Sequence, residues 1–207
     1  MDSLSERQLH EHVAEAEGHE SQVTGVVGYF YAMYRAAVLA RVAGVEGRNI
    51  LEIGCGEGMM FDGTGVNPVQ MDVSMTRVER ARGKCRYLCC ADGYQLPFRD
   101  GSFDVVLMVA VLEHTREPWR ILAEARRVLR KGGRAIMVVP NDWTMSAGRL
   151  LLGKFPIRYP DHLTMTPPGR MRRWLAEGFR VSEGFNLPFR FLPFAMNLYY
   201  FVVAEKH

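Results

Sequence analysis

Three acids and a run of glycines have the types and spacing that could do chemistry in this chain. Gly54, Gly56 and Gly58 alternate in Gly54-Cys55-Gly56-Glu57-Gly58. Glycine lets a backbone take positive φ and approach a ligand closely. The apolar residues Ile50, Leu51 and Ile53 just before it suit a short buried parallel strand. A strand feeding such a turn is the ligand-binding edge of an open α/β sheet. Glu52 lies on that strand, two residues before the first glycine. The nicotinamide fingerprint G-x-G-x-x-G would require a glycine at position 59, where the chain has Met59. Asp72 closes the next apolar stretch, Val69 to Val73. A strand-end acid at that place can accept hydrogen bonds from ribose hydroxyls. Asp92 closes a third stretch in Ala91-Asp92-Gly93, where a carboxylate can accept from an exocyclic amine such as that of adenine.

Two histidines are candidate catalytic bases. His114 follows the fourth expected strand in Leu112-Glu113-His114, and His162 sits in Tyr159-Pro160-Asp161-His162. The plainer role for His114 is a helix-start residue packed against a cofactor; for His162 it is an exposed loop residue beside a solvated Asp161. His10, His12 and His19 are expected to be exposed, and no metal site is expected. Cys55, Cys85, Cys89 and Cys90 fit no zinc spacing. Neighbours on a strand point to opposite faces, so Cys89 and Cys90 cannot serve one site. All four read as reduced, mostly buried thiols of a cytoplasmic protein.

The elements that must position these groups alternate between helix and strand. Ser3 to Glu17 reads as a polar helix with little to bury, expected to be a mobile flap. A second helix, from about Thr24 to Val42, carries Tyr29, Phe30, Tyr31, Met33 and Tyr34 and can pack one face on a sheet. Its tyrosines either belong to that packing or reach a cofactor. After Gly58, the breakers Gly63, Gly65 and Pro68 leave room for about two turns of helix. Ser74 is expected to cap a helix from Met75 to Arg82. Arg86 to Cys90 reads as the third strand. Phe103 to Val109, nearly continuous in apolar residues, reads as a central fourth. Pro118 opens a helix to Leu129, stopped by Lys131-Gly132-Gly133, and Arg134 to Val139 is the fifth strand. Thr166 is expected to cap, and Pro167 to start, a helix to Glu177. Gly178 to Val181 begins the sixth strand, and Leu198 to Ala204 is the seventh.

A chain of 207 residues is long enough for one domain with a sizeable core. Its 48% hydrophobic and 24% charged residues are ordinary for a soluble globular protein. No apolar run reaches the roughly 18 residues that span a bilayer, and the polar, acidic N-terminus does not read as a secretory leader. A net charge of +3 is too small to argue for nucleic acid. Arg126, Arg127, Arg130, Lys131 and Arg134, like Arg170, Arg172 and Arg173, read as solvated faces and helix-dipole complements.

Five motifs occur in order: Leu51 to Gly58, Met71-Asp72-Val73-Ser74, Ala91-Asp92-Gly93 with Leu96-Pro97-Phe98, Phe103 to Val106 with Val111 to His114, and Val128 to Gly133. Together, over about residues 48–140, they resemble the class I S-adenosylmethionine-dependent methyltransferases of the type 11 small-molecule branch. The resemblance implies a Rossmann-like α/β fold: a seven-stranded, mostly parallel sheet with an antiparallel last strand beside the fifth, and helices on both faces. It implies one such domain over 1–207, with a helical cap at 1–45, a cofactor-binding core at 46–140, and the acceptor-side segment and last two strands at 141–207. The implied cofactor is S-adenosyl-L-methionine, with S-adenosyl-L-homocysteine as product. Glu52 is then expected at the ammonium end, and Gly54, Cys55, Gly56 and Gly58 around the methionine. Asp72 is expected on the ribose, Val73 beside the adenine, and Asp92 with Gly93 at its amine. Val109 is expected beneath the sulfonium, with His114 close to the methyl.

Methyl transfer is then an in-line displacement, in which the protein holds the acceptor close and excludes water. A base is needed only where the acceptor must lose a proton. Amino-directed nucleic-acid enzymes of this class carry an Asn/Asp-Pro-Pro-aromatic run after the fourth strand. The chain has Val109-Ala110-Val111-Leu112 there, so a small-molecule acceptor is expected rather than tRNA. The short segment after Gly58 departs from the family pattern and keeps open a cofactor-binding module without turnover, serving as a regulator or partner. The acceptor pocket is expected to be apolar, lined by part of Phe185 to Tyr200 together with Tyr29 to Tyr34.

Overall fold

A computed structural model describes residues 5–16, 25–43, 49–151, 153, 155–157 and 159–207. The strands β1 (Ile50–Ile53), β2 (Val69–Asp72), β3 (Tyr87–Cys90), β4 (Phe103–Val109), β5 (Leu129–Pro140), β6 (Phe179–Leu187) and β7 (Tyr199–Lys206) form one sheet. Their order is β3-β2-β1-β4-β5-β7-β6. The first five strands pair in parallel, and β7 is antiparallel to both β5 and β6. Consequently β6 runs with the core strands, and its end at Leu187 meets Tyr199, as does Pro140 at the end of β5.

β4 is buried on both faces because its side chains alternate between two apolar layers. Val106 and Met108 pack with Leu51, Ile53, Ile121 and Leu122 on the side of helices α4 (Pro118–Val128) and α6 (Pro168–Leu175). Val105 and Leu107 pack with Ile50, Ile136 and Phe201 on the side of α2 (Gly25–Val42), whose Val38 and Val42 join that layer. Ser74 caps α3 (Met75–Ala81), its side chain accepting from Arg77 N. Residues 17–24 and 44–48, including Thr24 and His19, lie outside the described residues.

The chain after Gly58 forms turns rather than two turns of helix: Gly63 and Gly65 take φ of 70° and 75°. Burial of Met60 and Phe61 against the α2-side layer replaces the missing crossover helix. Arg35 on α2 fastens the segment, donating to Met60 O at 2.9 Å and Asp62 O at 2.6 Å.

The first helix, α1 (Glu6–Ala16), is not a loose flap. Its Ala14 is fully buried. Glu11 accepts from Met75 N and Thr76 N at 3.0 Å each, Arg80 donates to Ala14 O at 2.9 Å, and Arg116 N donates to Glu6 at 2.6 Å. Polar docking holds it where apolar burial alone would not.

Lys131-Gly132-Gly133 does not stop α4. The helix ends at Val128, Leu129 N closes on Ala125 O, and β5 starts at once. The glycines instead form a bulge, where β4–β5 pairing shifts from Phe103↔Leu129 to Val105↔Arg134. A side chain at Gly133 would press on Arg130 O at 2.9 Å and Asp104 O at 3.1 Å. Thr166 does not cap α6: the helix begins at Pro168 after Pro167, and the buried Thr166 hydroxyl has no hydrogen-bond partner among the described residues. Arg127 is no solvated cation either; it donates to Glu124, Asp100, Phe98 O and Leu96 O, tying down the chain after β3. The four cysteines are free thiols, but only Cys55 is fully buried.

Phe185 belongs to β6 rather than to the loop behind it. That loop is closed by two asparagines: Asn197 bonds Leu192 O, Pro193 O and Phe189 N, and Asn141 bonds Phe194 O and Asn197 O.

Candidate functional site

A cavity of about 260 Å³ opens at the carboxyl ends of β1, β2, β3 and β4. Ile53 and Gly54 form one wall, Met71, Asp72 and Val73 the next, and Ala91, Asp92 and Gly93 a third. Gly54 has φ 71°, and a Cβ there would lie 2.5 Å from Val111 Cγ2, so this turn position admits only glycine. Asp72 is held at both oxygens, by Gly56 N at 2.9 Å and Ser74 N at 3.0 Å. Asp92 accepts from Tyr94 N at 2.8 Å in a local turn.

Other expected cofactor contacts lie behind the wall. Glu52, Cys55, Gly56, Gly58 and Val109 do not line the cavity. Glu52 is buried on the opposite face of β1 and accepts from Gln70 Nε2 at 2.8 Å. Burial pushes its carboxyl up to about 8, against the downward pull of Gln70. Val109 packs against the α2-side layer, because the strand alternation turns it away. The wall there is made by the next two residues, Ala110 and Val111. Ala110 holds φ 53°, a left-handed backbone in a residue with a Cβ, of the kind that gathers at functional sites. No sequence signal marked it.

The remaining wall comes from α1. Glu6, Arg7 and His10 face the cavity, so His10 is half-buried rather than exposed. Its ring lies 6.0 Å from that of His114. His12 is exposed as expected.

His114 also lines the cavity, and His162 stands behind it with ring centroids 4.8 Å apart, edge to face. The segment carrying His162 is pinned by Thr164, whose N bonds Glu113 O at 2.9 Å and whose hydroxyl bonds Thr115 O at 2.6 Å. His162 is therefore buried, not an exposed loop residue. Its Nδ1 pairs with Asp142 Oδ1 in a short contact, and its ring stacks on Tyr159 at 4.9 Å. His114 Nδ1 lies 3.1 Å from Asp161 Oδ2. Burial alone would lower the His114 imidazole, but the Asp161 bond and nearby carboxylates raise it. Burial would likewise raise the Asp161 carboxyl, yet His114 holds it down at about 2. Glu113 is fully buried, neither of its side-chain oxygens has a hydrogen-bond partner among the described residues, and burial pushes its carboxyl up. Sequence spacing did not single out Glu113, since its neighbour His162 comes from a distant loop.

The tail aromatics do not line this cavity. Phe185 stacks on Phe201 at 4.7 Å, Phe194 packs on Tyr200, and Phe189 and Phe191 face solvent. Two of them meet the second helix instead: Tyr199 lies 5.1 Å from Tyr34, which in turn touches Tyr31 at 5.2 Å, and Arg41 lies over the Phe185 ring at 4.9 Å. Among the described residues, no helix is long and apolar enough to cross a membrane.

Residues 51–137 match a family described as "Methyltransferase domain". The chain is 35% identical over 180 residues to an uncharacterized 37.1 kDa protein in transposon TN4556 of Streptomyces fradiae, covering 76% of this chain and 49% of that one. It is 34% identical over 127 residues to 27-O-demethylrifamycin SV methyltransferase of Amycolatopsis mediterranei, covering 52% of this chain and 47% of that one. The chain thus spans about half the length of these curated relatives. In fold it is similar to the PH0226 protein of Pyrococcus horikoshii, with TM-score 0.71 and 17% identity over 95% of this chain and 99% of that one.

Proposed function

Residues 51–137 belong to the class I S-adenosylmethionine-dependent methyltransferases, and on that premise we propose that this protein moves the methyl group of S-adenosyl-L-methionine to a small, apolar or aromatic acceptor by in-line displacement. The observation that carries the reading is the cavity over the glycine turn, with Asp72 and Asp92 on adjacent strand ends in its wall. In this reading Asp72 takes the ribose hydroxyls, with Val73 against the adenine and Asp92 and Gly93 at the adenine amine. Gly54 gives the cofactor room, while Glu52, Cys55, Gly56 and Gly58 shape the methionine end from behind. The sulfonium already activates the leaving group, so the protein's work is alignment and exclusion of water. His114 and His162 promote loss of the acceptor's proton where the acceptor is a hydroxyl. The Amycolatopsis relative, named for 27-O-demethylrifamycin SV, supports an acceptor that offers oxygen. Residues 1–45 act as the cap and 141–207 as the acceptor side.

The test is incubation of the protein with methyl-labelled S-adenosylmethionine and a metabolite extract. Labelled small molecules and S-adenosylhomocysteine are the expected outcome. Cofactor binding with no transferred label from any extract would instead make the domain a binding module.

A further inference from the structure

Helix α5 (Asp142–Leu151) is docked by its polar side. It buries Asp142, and its Thr144 hydroxyl donates to Asn197 O at 2.7 Å. Trp143, Leu150 and Leu151 stand in solvent, 73%, 56% and 87% exposed. Leu150 and Leu151 follow Trp143 by seven and eight residues, so the three share one helix face. A helix of a globular domain ordinarily turns such a face to the core; this one is inverted. Its neighbours extend the apolar surface. Arg149 Nε donates to Pro156 O at 2.8 Å, which brings the exposed Phe155 to the end of α5. The Asn197 that accepts from Thr144 also accepts, through Oδ1, from Phe189 N at 2.7 Å, and so holds the loop that exposes Phe191 and Met196. Single exposed apolar residues are ordinary, but a joined group of them marks an interaction surface.

The charge around this surface has one sign. From Trp143 to Pro160 the sequence carries Arg149, Lys154 and Arg158, from Phe185 to Ala204 it carries Arg190, and neither stretch has an Asp or Glu. The whole chain is close to balanced, with 26 Lys and Arg against 23 Asp and Glu, so the excess is local. Arg190 is exposed, 3.9 Å from the Phe185 ring centre. An isologous dimer would set the cationic patch against its own copy, where like charges repel. Trp, Phe and Leu flanked by Arg and Lys suit instead the boundary between lipid headgroups and acyl chains. We propose that the face formed by α5 and the loop 188–198 docks on an anionic lipid surface. The helix lies in the plane of that surface, since no described helix is long and apolar enough to cross a membrane. Trp143, Leu150, Leu151 and Phe191 enter the interface, and the cations meet the headgroup phosphates. The proposal stands on this surface and does not rest on the methyl-transfer reading.

The experiment measures co-sedimentation of the full chain with phosphatidylcholine vesicles and with vesicles of equal parts phosphatidylcholine and phosphatidylglycerol. Saturable binding to the anionic vesicles is expected, weakening as salt rises. Leu151→Asn and Trp143→Ala should each lower that affinity about 10-fold or more, and Arg190→Gln about fivefold. Trp119→Ala removes an exposed tryptophan of α4, away from this face, and should leave it unchanged. All four positions are exposed, and thermal melting checks that each variant folds. No binding to the anionic vesicles at low salt, equal affinity for the two vesicle types, wild-type affinity in folded Leu151→Asn and Trp143→Ala, or an equal loss in Trp119→Ala overturns the proposal. A wild-type dimer in sedimentation equilibrium that Leu151→Asn makes monomeric would assign the face to a second copy and overturn it as well.

Discussion

The backbone N–H of Gly56 donates to Asp72 Oδ2 at 2.9 Å, joining the glycine turn to the end of the neighbouring strand. One acid therefore braces the turn and faces the cavity. Asp72→Ala removes both functions and is expected to weaken S-adenosylmethionine binding by about 1–3 kcal/mol. Asp72→Asn should fall between, since an amide oxygen still accepts from one backbone N–H. Calorimetry on folded variants decides, and unchanged affinity in Asp72→Ala would remove the residue from the site.

Glu52 makes stability depend on pH. Burial raises its folded carboxyl from 4.5 to about 8, so the fold binds its proton more tightly than the unfolded chain does. Its contribution is fully present below about 4.5, declines as pH rises, and is gone above about 8. Glu52→Gln should keep an acceptor for Gln70 and flatten that slope, gaining on the order of a few kcal/mol at pH 8.5 relative to wild type. Melting curves of the cofactor-free proteins at pH 5 and 8.5 measure it; parallel pH profiles would contradict it.

Glu11 ties α1 to the start of α3. The hydrogen bond from Thr76 holds its carboxyl below the ordinary range, so this attachment persists above that range and is lost as pH falls through the lowered value. Glu11→Ala should speed amide exchange across residues 6–16 while β4 and β5 keep their protection. Because Glu6, Arg7 and His10 form a cavity wall, cofactor affinity should drop with it. Equal exchange in the two proteins would show that Ala14 and Glu6 suffice to hold the helix.

The sequence by itself determined the parts governed by local rules. A continuous apolar run marked β4 at Phe103–Val109, Ser74 marked the start of α3, and the strand-end acids Asp72 and Asp92 marked two walls of the cavity. Each depends on neighbours a few residues away, through side-chain alternation, capping or turn chemistry. The tertiary structure alone decided the rest. Lys131-Gly132-Gly133 looks like a helix stop but is a bulge, because its conformation answers to β4 across the ladder. A polar helix with one buried alanine has little apolar surface to announce its docking, yet Glu11 finds the exposed amides of α3. His114, in the short turn Leu112–His114 after β4, and His162, from a distant loop, come together through Thr164 and the two supporting aspartates. Such contacts join residues far apart in the chain, and only the folded packing brings them within hydrogen-bond reach.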